Sequence, residues 1–257
     1  RKGIYYDPSR PSELEDICNT IPEHPDRTAL LERAAALRAL ILDKGLTKYN
    51  TGFRAALPPK LPKGKTIVLV PGQVEDDASV HCGGFGMSNP DVLRAAREAR
   101  PDSFIIYKPH PDVESGNRQG AIPDAEVLRH ADIILRDYPM GRLLPLIHEV
   151  HTLTSQTGFE ALLRGVRVFT YGGPFYAGWG LTEDRQDFPR RKARLTLDEL
   201  VAGALLLYPS YYDWQTGSFC RAEDVCRRLL QPDGQMRGCV WARLATVARG
   251  FLRRMGR

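Results

Sequence analysis

The sequence predicts an α/β chain built on a doubly wound, Rossmann-like parallel sheet with flanking helices. Three observations carry that expectation. Residues 66–70, Thr-Ile-Val-Leu-Val, form a continuous apolar run, the pattern of a strand buried on both faces. Strand and helix signals then alternate as far as residue 208, which is the order that builds a parallel sheet. The stretch 57–65 is proline-rich and basic and reads as a linker ahead of that pattern. Three parts follow: 1–64, the remnant of a preceding N-terminal domain with its linker; 65–208, the Rossmann-like domain; and 209–257, C-terminal helices with a basic tail.

Before the linker, Gly3-Ile4-Tyr5-Tyr6 reads as a short strand. Ser12 followed by Glu15 has the spacing of a capping box, and apolar residues at helical spacing predict a helix over 30–41. After the strand at 66–70, helices are expected over 91–97, 126–130, 143–147, 158–163 and 197–207. The intervening strands are expected over 104–107, 133–135, 150–154 and 166–171. The tail beyond Tyr208 predicts two more helices. From Met236 it carries Arg237, Arg243, Arg249, Arg253, Arg254 and Arg257 and no acid, with Trp241, Leu244, Ala248, Phe251, Leu252 and Met255 on one helical face.

Composition excludes several classes. Hydrophobic residues make up 42% of the 257, ordinary for a globular protein. No apolar run approaches the ~18 residues of a membrane-spanning helix. The five cysteines are scattered without CxxC spacing, so neither a disulfide framework nor a zinc site is expected, and free thiols point to a reducing cytoplasm. The net charge of +5 gathers in the tail, and no recognition motif accompanies it, so nucleic-acid binding is not expected. The chain opens Arg1-Lys2-Gly3, with no initiator Met and no apolar signal segment, and reads as a piece of a longer protein.

Four clusters follow predicted strands, where ligands sit in doubly wound sheets. In the first, Gly72-Gln73-Val74-Glu75-Asp76-Asp77-Ala78-Ser79, adjacent carboxylates suit a base for a hydroxyl or a nucleophile toward an anomeric carbon. A divalent-metal site or an acidic turn with Asp77 or Ser79 as helix N-cap are the alternatives. In the second, Lys108-Pro109-His110-Pro111, two prolines fix the backbone around His110, which suits holding a phosphate with Lys108 as a point charge; a solvated turn is the plainer reading. In the third, Ser155-Gln156-Thr157-Gly158-Phe159-Glu160, hydroxyls and backbone amides at a helix start form an anion site, with Glu160 in the first turn, unless the hydroxyls merely cap. In the fourth, the glycines and aromatics of 171–182 either stack on a sugar or base or pack beneath their own loop.

These segments resemble the capsule polysaccharide biosynthesis family of KpsC and KpsS type, in particular the C-terminal module of its KpsC-type members. The matching text is Gly3-Ile4-Tyr5-Tyr6-Asp7, Arg10-Pro11-Ser12-Glu13-Leu14-Glu15, Lys48-Tyr49-Asn50, the Gly72-to-Ser79 segment, Lys108-Pro109-His110-Pro111, Thr157-Gly158-Phe159-Glu160-Ala161-Leu162, and the long run Pro174-Phe175-Tyr176-Ala177-Gly178-Trp179-Gly180-Leu181-Thr182. It extends to about Pro209. The resemblance implies the nucleotide-binding half of a GT-B glycosyltransferase. It further implies retaining transfer of Kdo from CMP-Kdo to a lipid-linked poly-Kdo linker, among the proteins that assemble capsule.

Carried over residue by residue, it makes Asp77 the nucleophile, with Gln73 and Glu75 orienting the sugar or serving as acid/base. His110, with Lys108, holds the departing phosphate. Ser155, Thr157 and Gly158 border the phosphate, and Glu160 binds the ribose. No metal and no cofactor are implied. The acidic, glycine-containing motif that family modules carry upstream is absent here, so half of the cleft and most of the acceptor site would lie outside this chain. The basic tail is expected either to rest on anionic lipid, giving a peripheral location at the inner membrane, or to pack across the domains. An epimerase-like enzyme using a nucleotide sugar, or a non-catalytic module scaffolding capsule assembly, are the rival functions.

Overall fold

The computed structural model describes residues 2–48, 59–136, 138–213 and 215–230. Two helices come first, α1 (Glu13–Thr20) and α2 (Arg27–Asp43), the latter longer at both ends than its apolar spacing predicts. The sheet then begins with β1 (Ile67–Pro71), followed by α3 (Ala78–Gly83), α4 (Asn89–Ala99), β2 (Phe104–Lys108), α5 (Pro111–Glu114), α6 (Asp124–Val127), β3 (Ile133–Ile134) and α7 (Met140–Leu143). It continues through β4 (Glu149–Thr152), α8 (Gln156–Leu163), β5 (Arg167–Thr170), β6 (Glu183–Asp184) and α9 (Leu197–Val201). The hairpin β7 (Tyr211–Asp213) and β8 (Ser218–Cys220) and the helix α10 (Ala222–Leu229) close the described chain.

The six main strands lie side by side in the order β3-β2-β1-β4-β5-β6, all parallel. This is the classic doubly wound order, as the sequence predicted. The unbroken apolar run of β1 has a direct cause. Ile67 and Leu69 join one hydrophobic core, while Val68 and Val70 join the other, because successive side chains point to opposite faces. One face is covered by α1, α2, α8 and α9, the other by α4 and α6. Each fully buried aliphatic side chain contributes roughly 1.5–3 kcal/mol to these cores.

Several expectations need correction. The strand at Gly3–Tyr6 is a single bridge, Gly3 to Ser12. Tyr5 packs edge-on against Tyr6, Phe175 and Tyr208 instead of joining a sheet. Ser12 does cap α1, accepting from the Glu15 amide at 3.2 Å. The Glu15 carboxylate does not reach back to close a box, because it accepts from Arg190 and Arg191. The helix expected at 143–147 is α7 plus a 3-10 turn at Leu144–Leu146, where Pro145 has no amide to extend an α-helical ladder. The helix expected at 126–130 starts earlier, at Asp124, after Pro123. The long helix at 197–207 widens into a π-helical turn over Ala202–Leu207.

The sequence boundary at residue 64 is not a break in packing. Leu14, Cys18, Ile21 and Ala34 share one core with Leu69, Val150 and Leu200. Salt bridges Arg27–Glu199 and Arg38–Asp198 pin α2 to α9. Of the cysteines, 18, 82, 220 and 226 are free thiols; burial pushes the Cys18 thiol up to about 12. Cys239, the linker residues 57 and 58, and the basic tail from Met236, including its apolar face from Trp241 to Met255, lie outside the described residues. Among the described helices none is long and apolar enough to cross a membrane.

One buried polar cluster yields a pH prediction. His151 is fully buried, stacked on Phe169, with Nδ1 2.9 Å from the Tyr171 hydroxyl and Nε2 3.4 Å from Glu149. Burial lowers its pKa to about 4, Glu149 opposing and Arg100 assisting. An unfolded histidine titrates near 6.5, so on acidification the unfolded chain takes up this proton first. The neutral imidazole's contribution is therefore complete above about pH 6.5 and is lost progressively as pH falls toward 4. Thermal unfolding followed against pH is expected to show a steeper loss of Tm across that interval in the parent than in His151→Gln.

Candidate functional site

Strand order decides where a ligand can enter. From β1 the chain winds outward through β2 and β3, then returns to build β4, β5 and β6 on the other side. The loops leaving β1 and β4 therefore diverge, which opens a crevice at the carboxyl ends of these strands. A cavity of about 720 Å³ lies there. Its walls come from the segments after β1, β2, β3, β4 and β5, together with Tyr5, Tyr6, Thr47 and Lys48 from the N-terminal segment.

Asp77 and His110 line this one cavity although 33 residues separate them in the chain. Asp77 is the N-cap of α3. Its Oδ1 accepts from the Ser79 amide at 2.9 Å and the Ser79 hydroxyl at 2.7 Å. Burial would raise its pKa, but those two bonds, with the charges of Lys48 and Arg118, outweigh it and hold the carboxyl below the usual aspartate range. Asp77 is thus an ionised group on the cavity wall, and the capping alternative is also realised. His110 caps α5, its Nδ1 accepting from the Asp112 amide at 3.2 Å. An accepting Nδ1 puts the ring proton on Nε2. Burial lowers the pKa of His110, and the charges of Lys48 and Arg118 add to that against Asp112 and Asp77. The ring is therefore a neutral hydrogen-bond donor near pH 7.

Gln73 lines the cavity, and both ends of its amide are hydrogen-bonded. Its Nε2 donates to Thr154 Oγ1 at 2.8 Å, its Oε1 accepts from the Thr154 amide at 3.0 Å, and its backbone amide donates to Asn89. It straps β1 to the loop after β4. Lys108 also reaches the wall, its Nζ donating to the Arg136 carbonyl at 2.6 Å. Ser155 caps α8, accepting from the Thr157 amide, and both residues line the cavity. Glu160 is buried there and accepts from the Lys48 amide at 2.6 Å; burial raises its pKa, partly offset by that bond and by Arg164 and Lys48.

Two sequence-predicted site residues fall elsewhere. Glu75 does not line the cavity; its carboxylate accepts from the Asn89 amide at the start of α4. Gly158 does not line it either. It is the place where the Tyr176 ring crosses α8, so that a β-carbon would collide with the Tyr176 hydroxyl, which donates to the Ser155 carbonyl at 2.5 Å. The aromatic loop divides in the same way. Tyr176 and Trp179 are core residues, whereas Pro174 and Phe175 face the cavity. Sequence reasoning assigned no role to Lys48, Arg118, Arg136 or Tyr5, all of which line it. Lys48 and Tyr5 sit in segments that carried the family resemblance; Arg118 sits in an aperiodic loop with no local signal. Among the described residues no cluster of three or more metal-ligating side chains occurs.

Comparison with known proteins places this arrangement. Residues 1–219 match the family described as "Capsule polysaccharide biosynthesis protein". The chain is 43% identical over 228 residues to the lipopolysaccharide-processing protein LpsZ of Rhizobium meliloti, covering 88% of the chain and 52% of LpsZ. It is 42% identical over 255 residues to the capsule polysaccharide modification protein LipA of Neisseria meningitidis serogroup A, covering 95% of the chain and 35% of LipA. The chain thus spans about half, or less, of the length of these curated relatives. Two solved structures superpose on it. The KpsC β-Kdo 2,7 transferase of Thermosulfurimonas dismutans does so with TM-score 0.75 and 40% identity, over 89% of this chain and 70% of that one. The β-Kdo 2,4 transferase of the same KpsC gives TM-score 0.77 and 35% identity, over 90% and 71%. A family match running through the sheet and every wall of the cavity, with relatives above 40% identity, leaves one assignment: the chain belongs to the capsule polysaccharide biosynthesis protein family.

Proposed function

We propose that this chain is the donor-binding half of a retaining, GT-B-type β-Kdo transferase that takes Kdo from CMP-Kdo and passes it to a lipid-linked Kdo acceptor. The observation that carries the reading is the shared cavity of Asp77 and His110 at the switch point of the sheet. The likeness to two β-Kdo transferases supports it.

The chemistry follows from the side chains. Asp77, ionised, attacks the anomeric carbon as the bond to the CMP phosphate oxygen breaks and its electrons leave with the phosphate. The acceptor hydroxyl then displaces the carboxylate from the face the phosphate has left, releasing its proton to the CMP phosphate or to water, and two displacements give net retention. His110, a neutral donor through Nε2, stabilises the charge developing on the departing phosphate, an effect strengthened by its fixed position. The N-terminal hydroxyls and amides of α8, at Ser155 and Thr157, hold the same group. Glu160 takes the ribose hydroxyls. Gln73 acts on the reaction by holding the β1 and β4 loops in register rather than as an acid or base.

Incubation of the intact module, both halves of the cleft included, with CMP-Kdo and a short Kdo acceptor, with the product's linkage read by NMR, tests the whole reading; absence of any Kdo-elongated product removes it. Protection against thermal unfolding by CMP and not by UDP separates it from an epimerase-like enzyme. His110→Ala is expected to weaken CMP binding about tenfold to a hundredfold, the worth of one hydrogen bond to a charged group. An unaltered Kd in calorimetric titration excludes the phosphate role.

A further inference from the structure

We propose that Arg118 recognises the carboxylate of an acidic ketose donor, the anionic group attached directly to the anomeric carbon. This rests on the reading of the cavity as a CMP-sugar site and goes beyond it by naming what selects the sugar.

Arg118 lies in the loop between α5 and α6, seven residues beyond the Lys108–Pro111 segment, and it lines the cavity with Asp77 and His110. The loop is strapped on both sides. The Asp112 carbonyl accepts from the amides of Asn117 (3.1 Å) and Arg118 (3.2 Å), tying it to the turn after β2. The Gln119 carbonyl accepts from the Glu75 amide at 3.1 Å, tying it to the turn after β1. Gly120, at φ 124°, takes a backbone conformation closed to other residues and lets the chain fold against Gln73.

The guanidinium is half used. Its Nε donates to Asp76 Oδ1 at 3.0 Å and Oδ2 at 3.3 Å, and Asp76 immediately precedes Asp77. Among the described residues, Nη1 and Nη2 donate to no protein group, and the side chain keeps 37% of its exposure. Two such donors form the planar fork that pairs with a carboxylate through parallel bonds. The other cations suit the task less well. Arg136 is already paired with both Glu114 and Asp124, and Lys108 donates to a backbone carbonyl. Lys48 offers a point charge rather than a fork.

The charge balance calls for such a group. An acidic ketose bound to CMP carries a carboxylate and a phosphodiester on one carbon, and Asp77 must approach that carbon as a third anion. The charge of Arg118 reaches both Asp77 and His110, so it acts at the place where these anions meet. The phosphate is the other anion a fork could take, and CMP, which has the phosphate without the carboxylate, separates the two.

Calorimetric titration with CMP and steady-state kinetics with CMP-Kdo are to be compared for the intact module carrying the parent sequence, Arg118→Met or Arg118→Lys. The expected result for Arg118→Met is a KM for CMP-Kdo raised at least tenfold with the CMP Kd unchanged within twofold, and partial recovery in Arg118→Lys. An unchanged KM and kcat in Arg118→Met overturns the proposal. A matching loss of CMP affinity also overturns it, by assigning Arg118 to the phosphate. A parent protein that neither binds CMP nor consumes CMP-Kdo overturns the underlying reading, and does so before any substitution is made.

Discussion

In the intact module, Asp77→Asn is expected to abolish sugar transfer, by about 10⁴-fold or more, while CMP binds with little change. The amide has the shape of the carboxylate but no charge, so it can neither attack the anomeric carbon nor stabilise a positive centre there. The fold should tolerate it, because asparagine caps helices as well as aspartate does and can still accept from the Ser79 amide and hydroxyl. CMP affinity should hold or tighten slightly, since a negative charge leaves the neighbourhood of an anion. Asp77→Ala is the companion variant. It removes the cap as well, at about 1 kcal/mol of stability, so a transfer loss shared by both variants traces to the charge and not to α3. CMP titration and CMP-Kdo turnover on the same preparations decide the matter. A CMP Kd that worsens as much as transfer does would falsify the nucleophile role and leave Asp77 as a cap.

The largest stability effect is expected at a residue far less conspicuous in the sequence. Arg191 has a side chain only 2% exposed. Its Nε donates to Glu15 at 3.1 Å, and its Nη1 donates to the carbonyls of Pro174 (2.6 Å) and Ala177 (2.7 Å). The guanidinium also lies over the rings of Phe188 and Trp179. Arg191→Met leaves two carbonyls without this donor and removes one of the two cations on the buried Glu15 carboxylate. Breaking one partner of a buried pair costs about 3–5 kcal/mol, far more than a surface ion pair is worth. At this chain length that corresponds to a fall in Tm of roughly 10 °C.

Calorimetry should find the Arg191→Met, Glu15→Gln double variant less destabilised than the sum of the singles, because the buried carboxylate that Arg191→Met leaves short of a cation is then neutral. A Tm within 2 °C or so of the parent for Arg191→Met alone would show that Arg190, which also bonds Glu15, suffices. The effect bears on function as well. Pro174 and the neighbouring Phe175 form a wall of the cavity, so the variant should also weaken CMP binding when assayed well below its lowered Tm.

Much of the fold was legible because its signals are local. The apolar run of β1 announced burial on both faces, and the segments after β1, β2 and β4 were recognisable as site-bearing because they follow strands. Ser12 was readable as a cap from its spacing, and the other two caps were narrowed to Asp77 or Ser79 and to Ser155 or Thr157; the structure makes Ser12, Asp77 and Ser155 the caps. What failed did so for identifiable reasons. Gly3–Tyr6 has β-prone composition but no neighbouring strand, and aromatic packing took its side chains. The linker signal marks a boundary in the sequence only: α1 and α2 bury apolar side chains on the same core as the sheet.

The sequence by itself determined the strands from β1 to β5 and most of the helices between them, the parallel class of the sheet, and the neighbourhood in which chemistry would gather, since periodicity, caps and turn residues act within a few positions of chain; it missed β6 and the β7–β8 hairpin, which stands where helices were expected. Only the tertiary structure decided which side chains in that neighbourhood meet. Glu75 and Asp77 stand two residues apart, but a bond from the distant Asn89 draws Glu75 to α4 and leaves Asp77 on the cavity wall. Arg118 enters the site through hydrogen bonds from two other turns, and Gly158 serves Tyr176 instead of a ligand. In irregular backbone a side chain's direction is set by long-range bonds that no local pattern encodes.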